Sequence, residues 1–188
     1  MNKIQNLPKE LSEHIDPKKF NLVIHPKSNG SAKEWSHTNI ISLIQIMPRE
    51  KFNIFFTGSK DESKYISEKL MPFLTHNENC FDLSGKMTLS ELISFINSCD
   101  GLLAASTGPL HIAACLGKKT LGLYPPVHSM SPNRWGALGA QTKCLVTNEL
   151  SSPKCIEKCQ YELCACMNLL TPHIIFEHIS SWLKKDDC

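Results

Sequence analysis

The sequence predicts an α/β domain in which helices cover both faces of a parallel β-sheet. Short apolar segments with strand character alternate with helix-like segments from residue 20 to residue 147, which is the pattern of a buried parallel sheet. The chain has 188 residues, of which 41% are hydrophobic and 20% charged, so one domain of ordinary size can bury a core. Right-handed crossovers between such strands give a doubly wound, Rossmann-like sheet.

Strands are predicted where short apolar or β-rich runs occur. They lie at residues 21–25, 53–57, 80–83, 101–105, 120–124 and 144–147. Helices are predicted between them because their apolar residues recur at helical spacing. They cover residues 40–47, residues 61–70, a segment that begins at the capping box formed by Thr88 and Glu91, and residues 109–116.

The chain divides into three parts. Residues 1–19 are interpreted as a linker-like lead-in and residues 20–150 as the Rossmann-like domain. Residues 151–188 hold a cysteine-rich connection and an amphipathic helix, which begins with Thr171 as N-cap and Pro172 as its first residue. We expect its apolar stripe to pack on the domain or on a partner. The stripe consists of Ile174, Ile175, His178, Ile179, Trp182 and Leu183.

Charge and hydropathy exclude several classes of protein. Lys and Arg number 20 against 18 Asp and Glu, and a formal charge of +2 argues against a general binder of nucleic acid or anionic membranes. The longest apolar stretch, residues 40–47, is far too short for a transmembrane segment. The first sixteen residues are polar and contain no hydrophobic signal region, so we expect a cytoplasmic protein.

The turn after the fourth predicted strand is the first candidate binding site. In a doubly wound sheet, ligands bind outside the carboxyl ends of the strands. Ser106 and Thr107 place hydroxyls beside a helix start, Gly108 lets a ligand approach the backbone, and His111 lies in the first helical turn. A helix N-terminus favours an anion such as phosphate. The alternative is that the hydroxyls only cap the helix and that His111 is a structural turn residue.

Two further turns are predicted at the same end of the sheet, outside the carboxyl ends of the strands. Residues 25–35 include Ser28 and Lys33, and hydroxyl donors beside a cation can bind a diphosphate; a solvated loop is the alternative. Glu62, after the second strand, could accept hydrogen bonds from a ribose or base, or could balance the dipole at a helix start. Trp35 and Trp135 lie in polar loops, where an aromatic ring either anchors the loop or stacks on a base or sugar.

Four stretches occur in the order of one family's motifs. They are residues 25–35 with K-E-W at 33–35, D-L-S-G-K-M-T-L-S-E-L at 82–92, S-T-G-P-L-H-I-A-A at 106–114 and G-K-K-T-L-G-L-Y-P at 117–125. The second is similar to the family run D-L-S/A-G-K-T-S-L-x-E-L, and the third to D-S/T-G-P-x-H-x-A-A. On these motifs, residues 20–180 resemble the C-terminal half of glycosyltransferase family 9, the lipopolysaccharide heptosyltransferases.

The resemblance implies the nucleotide-sugar-binding half of a two-domain, GT-B-type inverting glycosyltransferase. Its donor is typically ADP-heptose and its acceptor a lipopolysaccharide inner core. Ser28 and Lys33 would contact the donor diphosphate or sugar, Glu62 would lie near the nucleoside, and residues 106–111 would meet the phosphates and sugar. No cofactor and no catalytic metal are implied, because cationic and N–H donors stabilise the leaving diphosphate. The implied donor-binding residues are Ser28, Lys33, Glu62, Ser106, Thr107, Gly108 and His111.

The chain departs from the family pattern in two ways. Ser106 stands where the family motif usually has an aspartate that contacts the donor sugar. The family's acceptor-binding domain, which carries the general base, precedes this half, so no catalytic residue is assigned here and transfer is expected to need an N-terminal half. The alternatives are a non-catalytic nucleotide-sugar-binding remnant of the same fold and a GT-B-like nucleotide-sugar epimerase.

Four cysteines lie within twelve residues. They are Cys155, Cys159, Cys164 and Cys166. Four thiolates suffice for a structural zinc ion, but the spacing is not that of paired Cys-x2-Cys knuckles. A structural metal site and a set of reduced or adventitiously oxidised thiols are therefore both open, and similar cysteine-rich segments precede the last helix in the resembled family.

Overall fold

A computed structural model describes residues 7–147 and 165–183. Its six strands form one fully parallel sheet in the order β3-β2-β1-β4-β5-β6, which confirms the doubly wound prediction. The strands are β1 (Phe20–His25), β2 (Phe52–Phe56), β3 (Cys80–Asp82), β4 (Gly101–Ala105), β5 (Lys119–Tyr124) and β6 (Thr142–Val146).

Helices connect the strands and cover the sheet. They are α1 (Lys9–Ser12), α2 (His37–Ile46), α3 (Lys60–Lys69), α4 (Leu89–Ser98), α5 (Gly108–Cys115), α6 (Pro132–Trp135), α7 (Ala165–Asn168) and α8 (Pro172–Ser180), with 3-10 turns at Met71–Phe73 and His128–Met130. Within residues 7–147 and 165–183, no helix has the length and apolar character needed to cross a bilayer.

Capping side chains set where the helices begin. Thr88 Oγ1 accepts from the Glu91 N–H while the Glu91 carboxylate accepts from the Thr88 N–H, which confirms the predicted capping box. Helix α2 begins three residues before the predicted start because the Ser36 side chain caps it, accepting from the Asn39 N–H. Local hydrogen bonding, more than the apolar pattern, therefore determines these boundaries.

The core lies on both faces of the sheet, and successive strand residues alternate between them. Leu22 and Ile24 of β1 face a cluster that includes residues of α2, α3, α7 and α8. Val23, between them, faces a second cluster formed with α4 and α5, in which the Phe55 and Phe95 rings meet edge to face with centroids 5.1 Å apart. Helices on both faces are what a parallel sheet needs to exclude water.

Both ends of the described chain contribute to the core. Leu11 of α1, within the segment interpreted as a lead-in, is buried in the cluster formed with α4 and α5. Helix α8 begins as predicted, with Thr171 accepting from the Ile174 N–H and Pro172 in the first turn. Ile175 and Ile179 are buried, whereas Ile174 is exposed. The part of the stripe that packs on the domain therefore includes Ile175 and Ile179 but not Ile174.

The topology places two loops side by side. β1 and β4 are neighbours, with His25 paired to Ala104, and the chain winds away from this pair in opposite directions. The loop at residues 26–36, after β1, therefore lies next to the turn at residues 106–107, after β4. Such a switch point is where open α/β sheets leave a crevice for a ligand.

Candidate functional site

A cavity of about 300 Å³ opens between these two loops. Five of the seven residues proposed for donor binding line it, whereas Ser28 and Glu62 do not. The lining residues are Ser31, Ala32, Lys33, Ser106, Thr107, Gly108, His111, Leu123, Pro125, Met130 and Trp135. One cation, one histidine and three hydroxyls thus share the cavity with an apolar wall from the β5 side.

The start of α5 contributes an unpartnered hydroxyl to the cavity. Thr107 is the N-cap, but its side chain makes no capping bond. Thr107 Oγ1 is buried and has no hydrogen-bond partner in the described part of the chain. A buried hydroxyl without a partner costs about 1–3 kcal/mol, and a ligand that bonds to it would recover part of that cost. The Thr107 hydroxyl therefore does not cap the helix and is left available for a hydrogen bond to a ligand.

Gly108 keeps the cavity open above this turn. A Cβ atom added at Gly108 would meet no atom within 4 Å, so a side chain there would project into open space. Pro109 lies in the first turn of α5 and removes an N–H that the helix could not use. His111, half-buried one turn into the helix, lies on the same wall. The backbone at this end can therefore approach an anionic group closely.

Glu34 shapes the loop that carries Lys33. Its carboxylate accepts from the Ser28 N–H at 2.8 Å and from the Lys27 ammonium, and it lies 2.9 Å from Ser28 Oγ. Asn29, with φ of 48°, and Gly30, with φ of 79°, make the tight turn that follows. Ser28 is buried inside this loop and supports its shape, while Lys33 lines the cavity.

Glu62 lies at the start of α3 and completes a capping box. Its carboxylate accepts from the Ser59 N–H at 2.8 Å, and Ser59 Oγ accepts from the Glu62 N–H. The side chain is buried and stays outside the cavity. Of the two interpretations that the sequence left open, the observed contacts are those of the helix-start carboxylate.

His25 is a buried titratable residue that sequence reasoning did not select. It is the last residue of β1, directly before the loop at residues 26–36, and its Nδ1 lies 3.0 Å from Thr57 Oγ1. Burial lowers the pKa of His25 below its ordinary value of 6.5, against the opposing effect of the Glu62 and Glu34 carboxylates. Its position as the last residue of an apolar strand was the signal that could have identified it.

The unfolding free energy is expected to fall as the pH drops below 6.5. The unfolded chain protonates His25 near that pH, whereas the folded domain does so only at lower pH, so the unfolded state binds more protons in this window. Urea denaturation between pH 5 and 8, compared for the wild type and His25→Gln, measures the contribution. The variant should lose part of the slope; an unchanged slope would contradict the assignment. His178, whose pKa burial also lowers, contributes to both proteins alike.

The Trp135 backbone carbonyl holds the apolar wall of the cavity on the β5 side in place. The Trp135 oxygen accepts from Tyr124 Oη at 2.9 Å and from Ser106 Oγ at 3.3 Å. The Trp135 indole donates to the Ser129 oxygen at 3.0 Å, and the residue lines the cavity and is half exposed. Trp35 differs, because it is buried and its indole donates to the Leu170 oxygen at 2.8 Å. Trp35 thus anchors a loop.

Comparison with known proteins identifies the family. The model of glycosyltransferase family 9 (heptosyltransferase) matches residues 4–165. This chain belongs to glycosyltransferase family 9. The Lipooligosaccharide heptosyltransferase 2 of Campylobacter jejuni is 25% identical to it over 158 residues, which cover 84% of this chain and 49% of that protein. The corresponding Haemophilus influenzae enzyme is 30% identical over 100 residues, 52% of this chain and 28% of that protein.

Solved structures show the same fold. The E. coli ADP-heptose LPS heptosyltransferase II has a TM-score of 0.75 at 20% identity, covering 98% of this chain and 54% of that one. E. coli heptosyltransferase WaaC with ADP has a TM-score of 0.66 at 16% identity, covering 94% of this chain and 46% of that one. This family 9 domain therefore spans about half the length of these relatives.

The cysteine cluster falls mostly outside the described residues. Cys155, Cys159 and Cys164 all lie in the stretch 148–164. Cys166, in α7, is buried in the cluster that includes α2 and α8. Among residues 7–147 and 165–183 there is no group of three or more histidine, cysteine or acidic side chains that could hold a metal ion.

Proposed function

We propose that this family 9 domain binds the nucleoside-diphosphate sugar donor of a glycosyltransferase, with ADP-heptose as the favoured donor and a lipopolysaccharide-type acceptor. The observation that carries the proposal is the buried, unpartnered Thr107 hydroxyl, in a cavity that Lys33 and His111 also line. The relatives are heptosyltransferases by name, and WaaC has been solved with ADP and with ADP-2-deoxy-2-fluoro heptose.

The cavity is suited to hold and stabilise a diphosphate. The Lys33 ammonium supplies positive charge, the Thr107 hydroxyl supplies a donor, and the N-terminus of α5 adds its dipole. During inverting transfer the bond from the sugar anomeric carbon to the β-phosphate oxygen breaks, and an acceptor hydroxyl oxygen bonds to that carbon from the opposite face. These groups would stabilise the negative charge that develops on the departing diphosphate.

Other residues act around this centre in the proposal. Ser28 supports the loop that presents Lys33, and the nucleoside would lie on the β2 side of the diphosphate, toward the start of α3 that Glu62 caps. No residue of this chain is assigned the general base that takes the acceptor proton. We place that base on an N-terminal acceptor-binding half, so the domain would bind the donor and would not transfer sugar by itself.

Thermal unfolding with nucleotides tests the proposal. We expect ADP and ADP-heptose to raise the Tm, because a ligand that binds only the folded state adds about 2.7 kcal/mol of stability at a hundredfold excess over Kd. UDP and GDP should raise the Tm less, because the proposed donor carries adenine. Lys33→Ala should abolish the shift. Lys118→Ala should keep the shift, because Lys118 lies between α5 and β5, at the end of the sheet opposite to the cavity.

The contrary result has a defined meaning. If the wild-type domain melts cooperatively and no nucleotide shifts its Tm, donor binding is wrong and the chain is a remnant that keeps the fold. The replacement of the family's aspartate by Ser106 is the observation that favours this alternative. An equal shift for all three nucleoside diphosphates would support a diphosphate site without preference for adenine.

A further inference from the structure

We propose that the Trp135 ring is the platform for the donor sugar, and that Ser106 and Tyr124 are positioning residues that hold it in place. The inference rests on the proposed donor-binding function and assigns one part of the donor to one wall of the cavity. Three observations support it: the order of the strands, the chemistry of the cavity wall on the β5 side and the hydrogen bonds that fix the Trp135 backbone.

The strand order places the two ends of the donor on opposite sides. The diphosphate site lies at the carboxyl ends of β1 and β4, where Lys33 and Thr107 line the cavity. β2, followed by Glu62, lies on one side of this pair, and β5, followed by the loop that carries Trp135, lies on the other. Since a diphosphate joins a nucleoside to a sugar, a nucleoside on the β2 side directs the sugar toward Trp135.

The wall on the β5 side suits a sugar. Leu123, Pro125, Met130 and Trp135 line it, and Trp135 is 50% exposed although its backbone is firmly held. The face of an aromatic ring carries partial negative charge, which attracts the weakly positive C–H groups on the apolar face of a sugar ring. A large aromatic residue at half exposure beside a cavity is therefore a suitable contact surface for the sugar.

The ring is held before any ligand binds. The Trp135 carbonyl accepts from Tyr124 Oη and Ser106 Oγ, and the indole Nε1 donates to the Ser129 oxygen. Such preorganisation lowers the entropy lost on binding. An aspartate at position 106 would be ionised near neutral pH, could not donate to the Trp135 carbonyl and would place negative charge beside it. Ser106 is therefore the residue that suits this wall.

Binding of ADP and ADP-heptose by Trp135 variants tests the inference. We expect Trp135→Ala to weaken ADP-heptose binding about tenfold and to change ADP affinity less than about twofold, because only the sugar contacts the ring. Trp135→Phe should keep most of the affinity for ADP-heptose. Trp182→Phe, a matched change in a half-buried residue after α8, should leave both affinities unchanged. Isothermal titration calorimetry gives all four pairs of constants.

The positioning residues have a separate test. Tyr124→Phe keeps the buried ring but removes the bond to the Trp135 carbonyl, so we expect it to lower the ratio of ADP-heptose to ADP affinity about threefold without lowering ADP affinity itself. A general loss of structure would weaken both ligands and leave the ratio unchanged. Ser106→Ala, which removes the other side-chain bond to the same carbonyl, should also lower this ratio.

Each outcome decides between the proposals. If Trp135→Ala weakens ADP and ADP-heptose equally, the ring contacts the nucleotide and the sugar assignment is wrong. If it changes neither affinity, Trp135 is not a ligand contact. If the wild-type domain binds neither ligand, the proposed function is wrong and this inference falls with it. Wild-type binding of ADP therefore separates a failure of the function from a failure of the inference.

Discussion

Replacing Thr107 with valine is expected to stabilise the folded domain and to weaken its binding of ADP. Valine has nearly the same shape but lacks the hydroxyl, which is buried, makes no capping bond and has no partner in the described residues. Removing it relieves part of a desolvation cost of about 1–3 kcal/mol. In the proposed complex the same change would remove a hydrogen bond to a charged phosphate, so ADP affinity should fall about 10- to 100-fold. Urea denaturation and calorimetric titration measure the two effects.

Thr120 provides a matched control with the opposite expectation. Thr120 is also buried, but its Oγ1 donates to the Lys118 oxygen at 2.9 Å, at the other end of the sheet. Thr120→Val should therefore destabilise the domain by about 1 kcal/mol and leave ADP affinity unchanged. If Thr107→Val instead lowers stability and has no effect on ADP, the Thr107 hydroxyl serves the fold and not a ligand.

The parts of the fold that depend on local sequence could be predicted from it. The apolar runs that form β1, β2, β4 and β5 are long enough to exclude turns. The capping residues Thr88 and Thr171 determine where their helices begin, because they bond to residues only three positions away. The turn before α5 was predicted because proline in the first helical turn fixes its own φ near the helical value and lacks only an N–H that the helix start leaves unpaired.

The parts that depend on side-chain direction could not be predicted. Ser59-x-x-Glu62 has the form of a capping box, but only the fold shows that the Glu62 carboxylate points back along its own helix, out of the cavity. Ser28 points into its own loop because Glu34 holds it there, six residues along the chain. The contact between the Trp135 carbonyl and Ser106 depends on how two loops meet, for which neither segment carries a signal.

Trp35→Ala is expected to cause the largest loss of stability among the changes considered. Trp35 is 5% exposed and its indole donates to the Leu170 oxygen, 135 residues away, so it joins the loop after β1 to the described segment at residues 165–183. Truncation of a buried tryptophan leaves a cavity and costs about 3–5 kcal/mol. Trp35→Phe should cost less, about 1–3 kcal/mol, because it fills part of the space but leaves the Leu170 carbonyl without its donor. Urea denaturation gives both values.

ADP binding should also respond to substitution of Trp35, because Lys33 lies two residues before Trp35 and lines the cavity. At a urea concentration where both proteins remain folded, we expect Trp35→Phe to bind ADP more weakly than the wild type, since the loop loses its anchor. Trp182→Phe is the control, because Trp182 packs on Phe20 at the amino-terminal end of β1, opposite to the cavity. A loss below 1 kcal/mol for Trp35→Ala would mean that the contact between α2 and α8 holds the last helix without Trp35.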